Sequence, residues 1–202
     1  MNVLIVAKTK IGSQVCVGGL AASDRSVRLL EANGEFPAPS IYDVGQVWEM
    51  QFADALGATP PHMEDICVQK RSFVGNQPGL ASYLRSRITP WTGAVTALFE
   101  GQLQFTVKLR GYIDGAHIPS RSTWFWLPDK DLQVIYNLMK GQQKPYYSYD
   151  GFELSYVGVA PPLPIIPANT LVRVSLARWW RIDPADPNCT ERCFLQLSGW
   201  YI

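Results

Sequence analysis

Apolar and polar positions alternate along most of this chain, most clearly at its C-terminal end. Over residues 171–182, Val172, Val174, Leu176, Trp180 and Ile182 fall on one side of an extended chain, and Arg173, Ser175, Ala177, Trp179 and Arg181 fall on the other. Side chains on a strand alternate between faces, so the first set is expected to pack a core and the second to meet solvent or a ligand. Residues 183–191 hold two prolines, two aspartates and an asparagine, a turn composition. The return strand, 192–201, puts Cys193, Leu195, Leu197 and Tyr201 on one face and Phe194, Gln196, Ser198 and Trp200 on the other. Two long strands carrying Arg and Trp on a shared face read as a binding surface more than a catalytic centre.

The N-terminal third is a meander. Apolar runs at 2–9, 14–20 and 26–31 recur at a spacing of roughly 12 residues, as in a small barrel or sandwich, with turns at Ile11-Gly12-Ser13 and Ser23-Asp24-Arg25. Residues 46–52 alternate with Trp48, Met50 and Phe52 inward, and 64–71 read as another strand. Between 78 and 101 the period becomes helical: Leu80, Tyr83, Leu84 and Ile88 share one face. After Pro90, Thr92 is expected to cap a second helix that carries Val95, Leu98 and Phe99 and stops at Gly101. The domain junction is expected here, dividing the chain into 1–100 and 101–202.

In the second half, 102–113 reads as one strand, with Leu103, Phe105, Val107 and Leu109 facing one way and Gln102, Gln104, Thr106, Lys108 and Arg110 the other. Residues 122–128 form a further strand. Asp129 then reads as the cap of a helix whose stripe is Leu132, Ile135, Tyr136 and Met139, ended by Gly141. Residues 145–159 predict a hairpin turning at Asp150-Gly151, and the proline-rich 160–167 a stiff connector into the terminal strands.

Of the 202 residues, 47% are apolar and 17% charged, enough for a buried core and against wholesale disorder. The net charge of +1 lacks the basic excess of proteins that grip duplex nucleic acid by its phosphates. Nucleic-acid binding would therefore need a local patch and stacking. The 7 Trp, 9 Tyr and 8 Phe, punctuated by glycine and proline, favour an all-β architecture. The apolar run at 3–7 is too short for a signal-peptide core, and no stretch approaches the roughly 20 residues of a membrane helix. A cytoplasmic protein with reduced thiols and no membrane partner is the expectation.

The segments LIVAKTK, VCVGGL, SVRLL, DVGQVWEM and EDICV, spread over residues 1–70, together resemble the dual OB-fold domain of bacterial conflict (anti-phage) systems. In that family an apolar strand leads to a Lys/Arg turn, a Cys-x-Gly strand and an Arg-bearing third strand. The resemblance implies a mostly β fold of two OB-like small barrels with a few short helices. It also implies a binding module in a bacterial defence system, and it implies no reaction.

OB-folds bind single strands by stacking bases on aromatics in a mildly basic groove. The candidate nucleic-acid-binding residues are Arg173, Trp179, Arg181 and Trp200 of the terminal strands, with Lys108 and Arg110. Packed tryptophans and solvated arginines of ordinary sheets offer the same residue types. Lys8, Lys10, Arg25 and Arg28 form a second basic grouping, which edge protection explains equally well. Cys189-x-x-x-Cys193 lacks a second ligand pair, and the chain's histidines, His62 and His117, lie far from it, so neither a metal nor a cofactor is expected. His62, Glu64 and Asp65 gather a base and two carboxylates, and Asp114 with His117 a looser pair, but neither spacing carries a mechanism. Cys16 and Cys67 have apolar neighbours that predict burial and inertness, and Gly18-Gly19 suggests a kink or bulge. No catalytic residue is assigned. The leading expectation is a non-enzymatic module for single-stranded DNA or RNA, or a nucleotide-like ligand. The alternative is an adaptor that docks an effector protein through the same aromatics. A hydrolase using His62 and Glu64 is a third reading.

Overall fold

The N-terminal alternation folds into a closed barrel. In the computed structural model, which describes residues 1–139, 141–181 and 190–202, five strands carry it: β1 (Asn2–Ile11), β2 (Gln14–Ala21), β3 (Ser26–Glu31), β4 (Gln46–Asp54) and β5 (Asp65–Asn76). Their order is β1-β2-β3-β5-β4, closed between β4 and β1, with β3 and β5 parallel. Val3, Ile5, Val17, Val27, Leu29, Met50, Ile66 and Val68 fill the interior together with Tyr42. The irregularity expected at Gly18-Gly19 lies directly opposite, where β1 slips register between Ile5 and Ala7. Gly19 is required for space: a Cβ there would sit 2.5 Å from Val3 Cγ1, inside the barrel core.

The first expected helix is α1 (Leu80–Arg87). Its Leu84, with Ile88, joins Leu4, Val6 and Leu20 of the barrel to Phe125, Leu171 and Tyr201 of the second sheet in one apolar cluster. Residues 95–101 make only broken 3-10 turns, with Phe99 and Glu100 at φ 53° and 56°. Thr92 is no cap; it belongs to the short strand β6 (Trp91–Gly93). Seven residues are too few for a helix to stand on propensity, and the core dictates their path: Val95, Leu98 and Phe99 are all fully buried, with Phe99 4.8 Å from Trp91.

The second sheet is built from β6 and nine later strands: β7 (Gln104–Phe105), β8 (Gly111–Ile113), β9 (Thr123–Pro128), β10 (Leu132–Met139), β11 (Gln142–Tyr149), β12 (Phe152–Tyr156), β13 (Ile165–Ile166), β14 (Leu171–Leu176) and β15 (Cys193–Tyr201). Its main path runs β13-β10-β11-β12-β15-β14-β9-β6, with β8 on β15 and β7 on β8. The fold is mostly β, as expected. The Asp150-Gly151 turn holds φ 50° and 86°, the left-handed pair that joins tight hairpins. Within the proline-rich connector, β13 adds a short edge to β10.

Three further local expectations change. The stretch 102–113 is no single strand: it doubles back, with Leu109 N donating to Thr106 O and Thr106 N to Arg110 O. Alternation fits two short antiparallel arms as well as one long strand, and the tip residues Val107 and Leu109 are exposed. The segment after Asp129 is the strand β10, paired with β11 from Gln133↔Ser148 to Met139↔Gln142. Its Val134-Ile135-Tyr136 run is β-favouring, and cross-strand pairing outweighs a helical spacing that four residues happened to match. Finally, β14 and β15 pair as expected and bury Val172, Val174, Leu176, Leu195 and Leu197, but β14 ends at Leu176. Beyond it the alternation loses phase: Trp180, expected inward, is 53% exposed. Ile182 and residues 183–189 of the expected turn lie outside the described residues.

Candidate nucleic-acid interface

The six residues expected to share one binding face are split among several environments. Arg173 is 5% exposed on β14 and points between the two sheets, where its guanidinium lies against Gly18. Of the two surroundings expected for that face, solvent or a ligand, β2 excludes open solvent by laying Gly18 over the guanidinium. Trp179 donates its indole N–H to Pro60 O at 3.0 Å and packs on the second core. Trp200 packs on the same core, 5.3 Å from the Tyr156 ring. Neither indole offers an open face like that of Trp180. Arg181 is half-buried, its guanidinium 3.8 Å from the Glu191 carboxylate. Only Lys108 and Arg110 come together.

They do so in a groove of about 810 Å³ on the second sheet, lined by Phe105, Tyr112, Tyr146, Trp180, Arg192 and Phe194 among others. The hairpin of β7 and β8 supplies one wall, which is why its reversal matters: it lifts Lys108 over the groove rather than leaving it on a sheet face. Arg110 lies 4.8 Å over the Tyr146 ring and pairs with Glu153 at 2.9 Å. Arg192 lies 4.2 Å over Tyr112. Trp180 leans on Phe194, centroids 6.2 Å apart, and Tyr112 on the same ring at 5.9 Å. A concave surface of aromatic faces held by guanidinium stacking presents π-surface to a planar ligand and positive charge to an anionic one. Of the other groove residues, Trp180 reads as core in the sequence, Tyr112 is assigned to neither face of its strand, and Arg192 and Phe194 lie on the return strand without being singled out. The alternation places Phe194 on the same face as Trp200 but gives Trp180 the wrong phase.

The other candidate groupings resolve into structural pairs. Lys8 bonds Asp43 at 3.0 Å and Pro39 O at 2.9 Å, and Arg25 bonds Asp54 at 2.7 Å. His117 Nδ1 lies 2.8 Å from Asp114, a hydrogen bond that holds the Asp114 carboxyl below its usual range. Among the described residues no cluster of His, Cys, Asp and Glu is arranged to hold a metal; Cys189 lies outside them. Cys16 and Cys67 are half-buried rather than buried, yet burial still raises the Cys16 thiol, and the fully buried Cys193 thiol is pushed up to about 12. Such thiols stay protonated and weakly nucleophilic at neutral pH.

His62 and Glu64 do meet, beneath the second sheet. Glu64 accepts a short hydrogen bond from Ser122 Oγ and lies 3.8 Å from His62 Nδ1. Burial alone would raise Glu64, but the His62 and Ser122 contacts outweigh it and leave the carboxyl below its usual range. His62 is itself buried, with Cys193 Sγ 3.6 Å from its Nε2. The serine is bonded to the carboxylate and not to the imidazole, so the order needed for a base-activated nucleophile is absent from this trio.

The molecule is a closed five-stranded barrel joined to a second, larger β sheet that carries an aromatic groove; of the two small barrels expected, the first closes and the second half forms a ten-stranded sheet. The chain belongs to the dual OB-containing domain family, whose model matches residues 1–200. No curated protein matches it. A solved structure described as a murine DNA binding protein bound with double-stranded DNA aligns over 98% of both chains, at 8% identity and a TM-score of 0.28, a likeness too slight to carry an argument about fold or ligand.

Proposed function

We propose that this protein is a non-enzymatic recognition module that binds single-stranded nucleic acid in the groove of the second sheet, within a bacterial defence system of the kind the family resemblance implies. One observation carries the reading. Trp180, Tyr112, Phe194 and Phe105 line the same groove as Lys108, Arg110 and Arg192. Stacking contributes about 1–3 kcal/mol per base and tolerates any sequence, because every base has a π-face. The near-neutral net charge favours such stacking over a grip on duplex phosphates. Trp180 is the main platform, Tyr112 and Phe194 brace it, and Lys108 with Arg192 meets the backbone.

Fluorescence anisotropy with labelled single-stranded DNA and RNA tests this. Trp180→Ala, an exposed position, is expected to weaken binding about tenfold while leaving the melting temperature unchanged. Equal affinity in the variant and the parent would remove the groove from the proposal. Absence of binding to either oligomer would turn the same aromatic surface into a dock for an effector protein, testable by pull-down.

A further inference from the structure

A second cavity lies between the barrel and the sheet. It has a volume of about 280 Å³ and is lined by residues of both, among them Lys10, Gly18 and Arg28 from the barrel and Arg173, Arg178 and Ser198 from the sheet side. Arg173 is the anomaly. It is 5% exposed, its Nε has no hydrogen-bond partner, and no ion pair among the described residues includes it. The carboxylates nearby are already engaged. Asp65 accepts from Arg28 and, at 2.5 Å, from Arg178, and Glu64 is held by Ser122 and His62. Among the described residues, four cations and one carboxylate, that of Glu64, therefore line the space, with Asp65 behind them.

An uncompensated buried guanidinium costs several kcal/mol, and proteins keep one where an anion completes the site. The backbone is shaped around it. Gly18 takes no left-handed φ, so conformation does not demand glycine there. A Cβ would instead come within 2.8 Å of an Arg173 terminal nitrogen and 3.1 Å of its guanidinium carbon. The missing side chain on β2 is what lets the guanidinium of β14 lie across the junction.

We infer that this junction is a binding site for a phosphate monoester, held by Arg173 with help from Arg178 and Arg28. Guanidinium groups match phosphate oxygens in a planar, two-bond fit and stay charged when buried. Ser122, Ser175, Gln196 and Ser198 line the same cavity and add neutral hydrogen-bonding groups. The volume sits at or just below the lower end of ligand pockets, about 300 Å³, which suits a phosphate or a mononucleotide and excludes a folded polymer. Ala177 and Gln196 also line the aromatic groove, so the two spaces adjoin. The phosphate could thus be that of a free nucleotide or of a strand end. The inference does not depend on binding in the groove.

The test is the melting temperature and calorimetric binding of the full chain with sodium phosphate, adenosine 5′-monophosphate and adenosine, against sodium chloride of equal ionic strength. Phosphate and the monophosphate are expected to raise the melting temperature and adenosine to leave it unchanged, since a ligand that binds only the folded state stabilises it. A short oligothymidylate with and without a 5′-phosphate separates the sources: tighter binding of the phosphorylated strand assigns the site to strand ends, and equal binding assigns it to free nucleotides. Arg173→Met is expected to weaken phosphate binding by about thirtyfold or more and, in phosphate-free buffer, to melt no lower than the parent. Gly18→Ala, whose Cβ would meet the guanidinium at the far end of the Arg173 side chain, is the second variant should the first fail to fold, and it too is expected to lose affinity. No phosphate effect beyond the chloride control, or full affinity in Gly18→Ala, overturns the inference. Because Trp180→Ala reads the groove separately, failure here leaves the groove proposal standing, and the reverse holds too.

Discussion

At Glu64, burial and hydrogen bonding pull in opposite directions and the hydrogen bonds win. Its folded carboxyl titrates below the ordinary value of 4.5, so its stabilising contribution is complete above that value and is lost as pH falls through the lower, folded one. Glu64→Gln is expected to cost about 1–2 kcal/mol at neutral pH, and the gap from the parent should close below pH 4.5. Urea unfolding at a series of pH values checks this; a gap independent of pH would mean the carboxylate's charge contributes nothing. Asp65 works in the other sense, because burial raises its carboxyl and Arg28 offsets that only in part, which is why the test replaces Glu64 alone. Of these residues, the sequence made visible the presence of a base and two carboxylates at 62–65. It did not show that Ser122, 58 positions from Glu64, closes the trio, because nothing local links a barrel loop to the residue that leads into a strand of another sheet.

The element scale separates turn chemistry, which is local, from strand extent, which is not. Asp150-Gly151 was legible because a left-handed pair is demanded by the hairpin and those two residue types accept it. Gly151→Val is expected to destabilise the protein by about 1–2 kcal/mol through that φ of 86°. Gly115→Ala, where a Cβ would meet nothing within 4 Å, should be neutral; chemical denaturation of both compares them. If Gly151→Val proved neutral, the hairpin would have to turn elsewhere. Where 102–113 and 129–141 departed from expectation, the ambiguity was real: apolar residues at i, i+3, i+4 and i+7 fit a helix, while the β-branched and aromatic run inside them fits a strand, and only the partner β11 decides. The reversal at 106–110 had the same origin, since period-two alternation is blind to whether a chain continues or doubles back.

For the whole molecule, charge sets how any nucleic acid is held. If Lys108 and Arg192 each neutralise about one phosphate, Arg110 being paired with Glu153, log affinity for a single strand should fall with log salt at a slope of about −1.4 (~0.7 per phosphate). Duplex of the same sequence should bind more weakly, having no free bases to stack. Anisotropy titrations across salt concentrations check both statements; a slope near zero with strong binding would point to a protein-like interface instead. The sequence by itself determined that the chain is mostly β, where its first five strands lie and which of their faces are apolar, because alternation and turn chemistry are properties of neighbouring residues. It also carried the family's strand pattern over residues 1–70. Tertiary structure alone decided which cations share a site. Arg173 and Lys108 look alike as polar members of alternating strands, yet Gly18 of β2 lies against the guanidinium on β14 and buries it with no ion-pair partner among the described residues, and a reversed hairpin lifts the other over an aromatic groove. Burial and charge pairing depend on segments far apart in the chain, and no local pattern records them.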